Sequence, residues 1–196
     1  MERQKIFFTS DLHFGHENVL RFDDRPFETV EEMDEELINR WNDKVGKGDL
    51  VYVLGDLIWK TAINEAVQII KRLNGQIILI KGNHDRFLHN AAAKKALAGI
   101  KDYDDICVTL DDGTVRRCIL SHYFIPFYNG HRYNAVHLHG HSHFTAEATE
   151  EFLIAKTLNE KGYNLQIYNV GCMYWNYVPV TLDEILKTKD QRIEEK

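Results

Sequence analysis

Three short apolar strands, separated by two helical patterns, constrain the fold of this chain more than any other feature. The predicted strands cover residues 6–9, 50–54 and 76–80, and each is followed at once by polar residues. Between them, apolar residues recur with helical spacing over residues 30–41 and 62–73. Strands that are apolar throughout and alternate with helices are typical of a parallel sheet covered on both faces. We therefore predict an α/β fold whose ligands bind beyond the carboxyl ends of the strands.

The second half of the chain is richer in strands. Further strands are predicted at residues 106–110, 115–120, 136–139 and 165–170. The first two of these are joined by residues 111–113, an Asp-Asp-Gly sequence typical of a hairpin turn. Short helices are predicted over residues 91–97 and after Leu182, and residues 187–196 are expected to form a charged, partly frayed tail.

Length and composition exclude several classes of protein. A chain of 196 residues with 44% hydrophobic and 28% charged residues fits a single globular domain, expected to cover residues 1–196. The apolar segment near the N-terminus is too short for a signal peptide or a membrane helix, so we expect a cytoplasmic location and no membrane contact. The net charge of −6 argues against non-specific binding of duplex nucleic acid. Three widely spaced cysteines argue against a disulfide framework.

Residue types that bind metal ions follow most of the predicted strands. In chain order they are Asp11, His13, Asp56, Asn83, His122, His141 and His143. Carboxylate, imidazole and amide ligands suit Mn²⁺, Fe, Co, Ni or Zn²⁺, and the lack of thiolates disfavours a purely structural zinc site. Each residue alone is more often a turn or capping residue. Because they recur after successive strands, the sequence predicts a metal site. Glycines that directly precede three of them are expected to let the backbone approach a small ligand closely.

Together these residues resemble the ordered signature of the calcineurin-like metallophosphoesterase family. The matching blocks are Asp11-Leu12-His13, Gly55-Asp56, Gly82-Asn83-His84-Asp85, Ser121-His122 and Gly140-His141-Ser142-His143. Residues 10–16 and 25–27 further resemble a compact bacterial and phage subgroup. The resemblance implies a four-layer αββα sandwich of two mixed sheets flanked by helices. The chain departs from the family at Ser121, where glycine is common, and at Leu57, where many members carry a second aspartate.

The resemblance also implies a dinuclear centre and a mechanism. One cation would be bound by Asp11, His13, Asp56 and His143, and the other by Asp56, Asn83, His122 and His141, so that Asp56 bridges both. The cofactors would be two divalent ions, with Mn²⁺ preferred and Fe, Zn²⁺, Ni²⁺ or Co²⁺ as alternatives. The pair would acidify a bound water for in-line attack on phosphorus. His84 would protonate the leaving oxygen as general acid, and Asp85 would orient the imidazole of His84.

Several alternatives remain open at the level of sequence. The substrate is expected to be a small phosphorylated compound, a nucleotide or a short nucleic acid, with a nuclease or nucleotide phosphodiesterase as the second interpretation. A non-catalytic scaffold that retains the fold, and a structural zinc protein, are the rivals from other classes. No protein partner is predicted. His16 and Arg25 either contact a substrate phosphate or serve as a capping histidine and a surface arginine. His137 and His139 are expected to pack or to make hydrogen bonds behind the ligands rather than to bind metal.

Overall fold

The computed structural model describes residues 4–59 and 63–188 and contains two β-sheets with helices around them. The strands are β1 Ile6–Thr9, β2 Leu50–Val53, β3 Gln76–Ile80, β4 Gly99–Lys101, β5 Asp104–Thr109, β6 Val115–Leu120, β7 Val136–His139, β8 Gln166–Asn169 and β9 Val180–Thr181. The helices are α1 Val19–Phe22, α2 Val30–Lys44, α3 Ile63–Arg72, α4 Ala91–Ala96, α5 Ala146–Glu160 and α6 Leu182–Lys187. Single 3₁₀ turns cover Arg86–His89, His131–Tyr133 and Cys172–Trp175.

The first sheet has the strand order β4-β3-β2-β1-β9. Its strands β1 to β4 run parallel, while β9 pairs antiparallel with β1. The parallel arrangement follows from the helices α2 and α3, which connect β1 to β2 and β2 to β3 as crossovers. Consequently the carboxyl ends of β1, β2 and β3 lie at one edge of the sheet.

The second sheet has the order β5-β6-β7-β8 and is also mixed. The hairpin of β5 and β6 is antiparallel, whereas β6, β7 and β8 are parallel to one another. An isolated parallel bridge between Ser10 and Gly171 links the segment after β1 to the segment after β8. The ends of strands from the two sheets therefore meet in one region.

Two hydrophobic layers show how the sheets pack. Phe8 is fully buried between the sheets with Leu120 and Leu138, while its neighbour Phe7 packs on the opposite face with Leu37 and Trp41 of α2. This division follows from the alternation of side chains along a strand. The outer face of the second sheet is covered by a smaller cluster to which α5 contributes. The predicted α/β fold of two mixed sheets flanked by helices is confirmed.

Some elements differ from the sequence prediction. Helix α5 was not predicted, because Glu151 is its buried residue and its Leu153 and Ile154 are exposed, so the apolar pattern of a core helix is missing. The short elements α1, β4 and β9 were also not predicted. The hairpin strand predicted to start at residue 106 begins at Asp104, which pairs with Leu120.

Two expectations concern residues beyond the described ones. The predicted tail, residues 187–196, begins inside α6, and residues 189–196 lie outside the described part of the chain. The expectation of one domain over residues 1–196 stays a prediction. Within residues 4–59 and 63–188, no helix is long and apolar enough to cross a membrane.

Candidate metal centre

The seven predicted metal ligands come together at the edge where the strands end. The loops after β1 and β2 lie side by side, because the backbone N–H of Asp11 donates to the carbonyl of Gly55 (3.1 Å) and that of His13 to the carbonyl of Asp56 (2.9 Å). The segment after β7 reaches the same place, where the backbone N–H of His141 donates to Oδ2 of Asp11 (3.0 Å). Long-range backbone contacts thus fix the positions from which the side chains project.

The backbone at this edge is strained. Five of the predicted ligands have positive φ angles: Asp11 (57°), His13 (54°), Asp56 (54°), His141 (75°) and His143 (47°). For residues with a Cβ, the left-handed region costs roughly 1–2 kcal/mol per residue. Such conformations persist where the surrounding structure imposes them, and they concentrate at functional sites. Here they accompany the convergence of carboxylates and imidazoles.

Two groups of side chains have the spacing of a metal site, and both include Asp11. In the first, Asp11, His13 and His143 place ligand atoms within 4.8 Å of one another, and Asp11, Asp56 and His122 do so in the second. Oδ2 of Asp56 lies 3.6 Å from Nε2 of His13 and 3.6 Å from Nε2 of His122. One carboxylate oxygen therefore lies between imidazoles of both groups.

The hydrogen bonds around His122 leave a lone pair directed into the site. Its Nδ1 lies 2.7 Å from the carbonyl of Leu54 and can only donate to it, so Nε2 of the neutral ring is unprotonated. Nε2 lies 2.9 Å from Oδ1 of Asn83, which is also an acceptor. Two lone pairs that face each other at this distance repel unless a proton or a cation lies between them. The arrangement fits a cation held jointly by His122 and Asn83.

Asp11 and Asp56 each use one carboxylate oxygen for a backbone hydrogen bond. One oxygen of each accepts a backbone N–H: Oδ2 of Asp11 from His141, and Oδ1 of Asp56 from His84 (2.8 Å). Oδ1 of Asp11 is buried and has no hydrogen-bond partner among the residues that the structure describes. An unpartnered buried carboxylate oxygen is costly without a counter-charge. The residues present therefore fit divalent cations.

The pKa shifts of His13 and Asp56 agree with this interpretation. Burial lowers the pKa of His13 well below its usual value, and the neighbouring His143 lowers it further, so His13 is neutral and can act as a ligand. Burial also raises the pKa of Asp56, and the negative charge of Asp11 adds to this effect. Two buried carboxylates that disfavour each other's charge are what a bound cation would stabilise.

Two of the glycines beside the ligands are required by the packing of the ligand side chains. A Cβ on Gly82 would lie 2.2 Å from Oδ1 of Asp56, and a Cβ on Gly140 would lie 2.4 Å from Oδ2 of Asp11. Gly82 and Gly140 therefore make room for the ligand carboxylates, and close approach of the backbone to a small ligand stays a prediction.

Comparison with known proteins places this geometry in a family. The family model described as "Calcineurin-like phosphoesterase" matches residues 4–170. The chain belongs to this family. The resemblance seen in the sequence blocks is thereby confirmed, together with the fold that it implied.

Relatives of the chain share most of its length. The uncharacterized protein MJ1445 of Methanocaldococcus jannaschii is 35% identical over 188 residues, which cover 95% of this chain and 92% of the relative. The Gene 66 protein of Mycobacterium phage D29 is 31% identical over 160 residues, covering 70% of this chain and 78% of the phage protein. A solved structure, the protein of unknown function AQ665 from Aquifex aeolicus, aligns with a TM-score of 0.68 at 25% identity, over 95% of this chain and all (100%) of that one.

Within the family signature, Asp85 does not have the predicted role. Its carboxylate accepts the backbone N–H groups of Gly82 (2.7 Å), Leu57 (2.9 Å) and Asp56 (3.0 Å), and it makes no hydrogen bond to the imidazole of His84. Nδ1 of His84 is buried without a partner among the described residues. Asp85 therefore joins the loops after β2 and β3 and does not orient His84. Burial raises the pKa of Asp85 to about 6.

Arg25 likewise fits neither of its two expected roles. The guanidinium is buried and donates to the carbonyls of Asp11 (2.7 Å) and Leu12 (2.8 Å), and Nε donates to Oδ2 of Asp23 (3.0 Å). The same oxygen of Asp23 lies 3.2 Å from Nδ1 of His143. Arg25 and Asp23 thus support the first ligand loop and His143 from behind. Sequence reasoning missed Asp23, although its position two residues before Arg25 was available as a signal.

A cavity of about 330 Å³ opens beside the ligands. It is lined by His13, His16, Phe22, Asp56, Trp59, His84, His141 and His143. His16 stacks on Trp59 with ring centres 3.7 Å apart, and burial lowers its pKa to about 4. His16 is therefore neutral and lines the cavity, so a substrate contact stays a prediction. Phe22 and Trp59 were not proposed as site residues from the sequence.

Two remaining predictions, and one residue not considered so far, concern the surroundings of the site. His137 uses both ring nitrogens, since Nδ1 donates to the carbonyl of Ile119 (3.1 Å) and Nε2 accepts from the N–H of Ile125 (3.1 Å), which agrees with the hydrogen-bonding alternative. His139 is buried, and its Nδ1 donates to the carbonyl of Gly140 (3.0 Å), which fits the same expectation. In the segment 123–134, Tyr123 extends toward the site with its hydroxyl 3.4 Å from Oδ1 of Asn83.

Proposed function

We propose that the protein is a dinuclear metal-dependent hydrolase of phosphomonoesters or phosphodiesters. The observation that carries the proposal is the position of Oδ2 of Asp56, at 3.6 Å from Nε2 of both His13 and His122. Ligands of zinc-like ions lie about 2.0–2.2 Å from the ion, so two ligands of one ion are roughly 3–3.6 Å apart. An oxygen at this distance from two imidazoles is suited to bridge two cations.

The assignment of ligands follows from these contacts. Asp11, His13 and His143 would hold one cation, and His122, Asn83 and His141 the other, with Asp56 shared. The ring of His141 lies 5.0 Å from that of His122, at the edge of the second group. Bound cations would supply Lewis acidity at the phosphate oxygens and lower the pKa of a nearby water. Nitrogen and oxygen ligands without thiolate suit Mn²⁺, Fe, Zn²⁺, Ni²⁺ or Co²⁺, and Mn²⁺ is the ion we propose to test first.

His84 is the residue we assign to leaving-group protonation. Its imidazole lines the cavity, while its backbone N–H holds the proposed bridging carboxylate at 2.8 Å. The side chain is therefore next to the metal ligands without being one of them. A histidine in this position can donate a proton to the departing oxygen. The substrate would be a small phosphorylated compound, a nucleotide or a short nucleic acid.

A test combines metal content and turnover in the same sample. We expect the Mn²⁺-loaded protein to release phosphate or alcohol from monoester or diester substrates, and Asp56→Asn to lower the rate at least 100-fold while the metal content falls from two ions toward one. Asp43→Asn, an exposed aspartate of α2, is the matched control. Retention of metal-stimulated hydrolysis in Asp56→Asn would refute the proposal, and full metal content without turnover would favour the scaffold.

The role of His84 has its own test. His84→Ala should slow esters with poor leaving groups by about 10²–10⁴-fold and esters with good leaving groups much less, because only the former need a proton in the transition state. Equal losses for both kinds of ester would contradict the assignment.

A further inference from the structure

The described side chains that line the cavity beside the ligands are mainly histidines and aromatic residues. Among the described residues that line it there is neither lysine nor arginine. The nearby Arg25 is buried, and its guanidinium donates to the carbonyls of Asp11 and Leu12, to Sδ of Met33 and to Asp23. The described lining therefore consists of histidines, Asp56 and two aromatic side chains. Outside the proposed metal ligands and His84, the rest of the substrate would be recognised by uncharged groups.

Two aromatic side chains supply that chemistry. Phe22, at the end of α1, is 52% exposed, and Trp59, in the segment after Asp56, is 38% exposed. Both line the cavity. Exposure of large aromatic side chains to water is unfavourable. Where such side chains lie beside a cleft, they mark a binding surface.

The contacts of the two rings place them around the reacting groups. Trp59 lies 4.7 Å from the ring of His84, and His16 stacks on it at 3.7 Å with an interplanar angle of 4°. Phe22 lies 5.4 Å from the ring of His143 and 5.7 Å from that of His16. Trp59 is thus next to His84, the residue assigned to protonate the leaving oxygen. Phe22 is next to His143, a proposed ligand of the first cation.

We propose that the cavity takes phosphate esters whose alcohol carries a planar aromatic ring, which stacks against Trp59 and Phe22. This inference rests on the proposed function, because it places the phosphate at the metal ligands and the alcohol near His84. A planar ring gains more from aromatic side chains than a saturated ring of the same size, through offset stacking and edge contacts. A nucleobase and a simple aryl group share this chemistry.

A binding experiment tests the ring contact without requiring turnover. Benzylphosphonate and cyclohexylmethylphosphonate, which are not hydrolysed as esters, are titrated calorimetrically into the Mn²⁺-loaded protein. We expect the aromatic compound to bind about tenfold more tightly. Trp59→Leu should bring the ratio of the two Kd values close to one, Phe22→Leu should lower it, and Trp59→Phe should retain most of it.

Tyr133→Leu is the matched control, because Tyr133 is 87% exposed and does not line the cavity. A ratio near one in the unmodified protein, or an unchanged ratio in Trp59→Leu with full metal content, overturns the inference. Absence of ester hydrolysis would refute the proposed function and leave this binding ratio to decide the inference separately.

Two substrate pairs identify the source of the ring. The values of kcat/KM are compared for benzyl phosphate against cyclohexylmethyl phosphate and for uridine 5′-phosphate against ribose 5-phosphate, each also as the methyl diester. A larger ratio for the nucleoside pair identifies a nucleobase, and a larger ratio for the benzyl pair identifies an aryl alcohol. Ratios near one for both pairs overturn the inference.

Discussion

Replacement of Asp85 by asparagine separates two roles that the family signature leaves undistinguished. The carboxylate accepts three backbone N–H groups, two at Oδ2 from Gly82 and Asp56 and one at Oδ1 from Leu57. Hydrogen bonds to a charged group contribute about 1.5–3 kcal/mol each. In Asp85→Asn, the amide oxygen can retain the two donors on one side, but the NH₂ group then faces the N–H of Leu57.

The expected loss in stability is one charge-assisted hydrogen bond plus one unsatisfied buried donor, about 2–4 kcal/mol in total. For a chain of this size, that corresponds to a decrease in Tm of roughly 5–12 °C. The loss should be present in the metal-free protein, because the hydrogen bonds do not involve a metal. Urea unfolding of EDTA-treated Asp85→Asn, with Asp43→Asn as the control, measures it.

Kinetics complete the distinction. Asp85 joins the loops after β2 and β3 and thereby supports Asp56 and Asn83. Asp85→Asn should therefore weaken metal binding and slow the hydrolysis of esters with good and with poor leaving groups alike. If the variant were as stable as the unmodified protein and lost activity only toward poor leaving groups, Asp85 would act through His84, and the structural reasoning would be wrong.

Three further predictions follow from the site. Gly82→Ala should lower metal content and activity, because its Cβ would lie 2.2 Å from Oδ1 of Asp56. The control is Gly48→Ala, whose Cβ would have no atom within 4 Å. Unchanged metal content in Gly82→Ala would contradict the prediction. Burial raises the pKa of Glu151 to about 7, so the unfolding free energy should fall by about 3 kcal/mol as the pH rises from the unfolded pKa through 7, and Glu151→Gln should weaken this dependence in urea titrations. Metal removal should inactivate the protein without loss of far-UV circular dichroism, because the hydrophobic layers do not depend on metal; complete unfolding would instead indicate a structural zinc site.

The interior of the sheets and the order of the ligands were predictable from the sequence because they depend on local patterns. The strands after which Asp11, Asp56 and Asn83 occur are apolar runs, and parallel strands bring their carboxyl ends to one edge whatever the details of packing. The periodicity of α2 and α3 likewise reflects faces that are buried against the first sheet.

Features that depend on contacts between distant segments could not be predicted in this way. The amphipathic pattern of α5 was too weak to indicate a helix. Its buried Glu151 accepts a hydrogen bond (2.7 Å) from Ser142, the residue between the predicted ligands His141 and His143. The exposed rings of Phe22 and Trp59 carry no local signal, because only the folded chain places them beside the cavity.

The amino-acid sequence by itself determined the family, the class of fold and the identities of the candidate ligands, because those follow from residue types and their spacing along the chain. Tertiary structure alone decided which partner each polar group has. Arg25 is turned inward to the carbonyls of Asp11 and Leu12, and Asp85 binds backbone N–H groups instead of His84. The physical reason is that a charged side chain must satisfy its hydrogen bonds wherever it is buried, and its partners come from segments that only folding brings together.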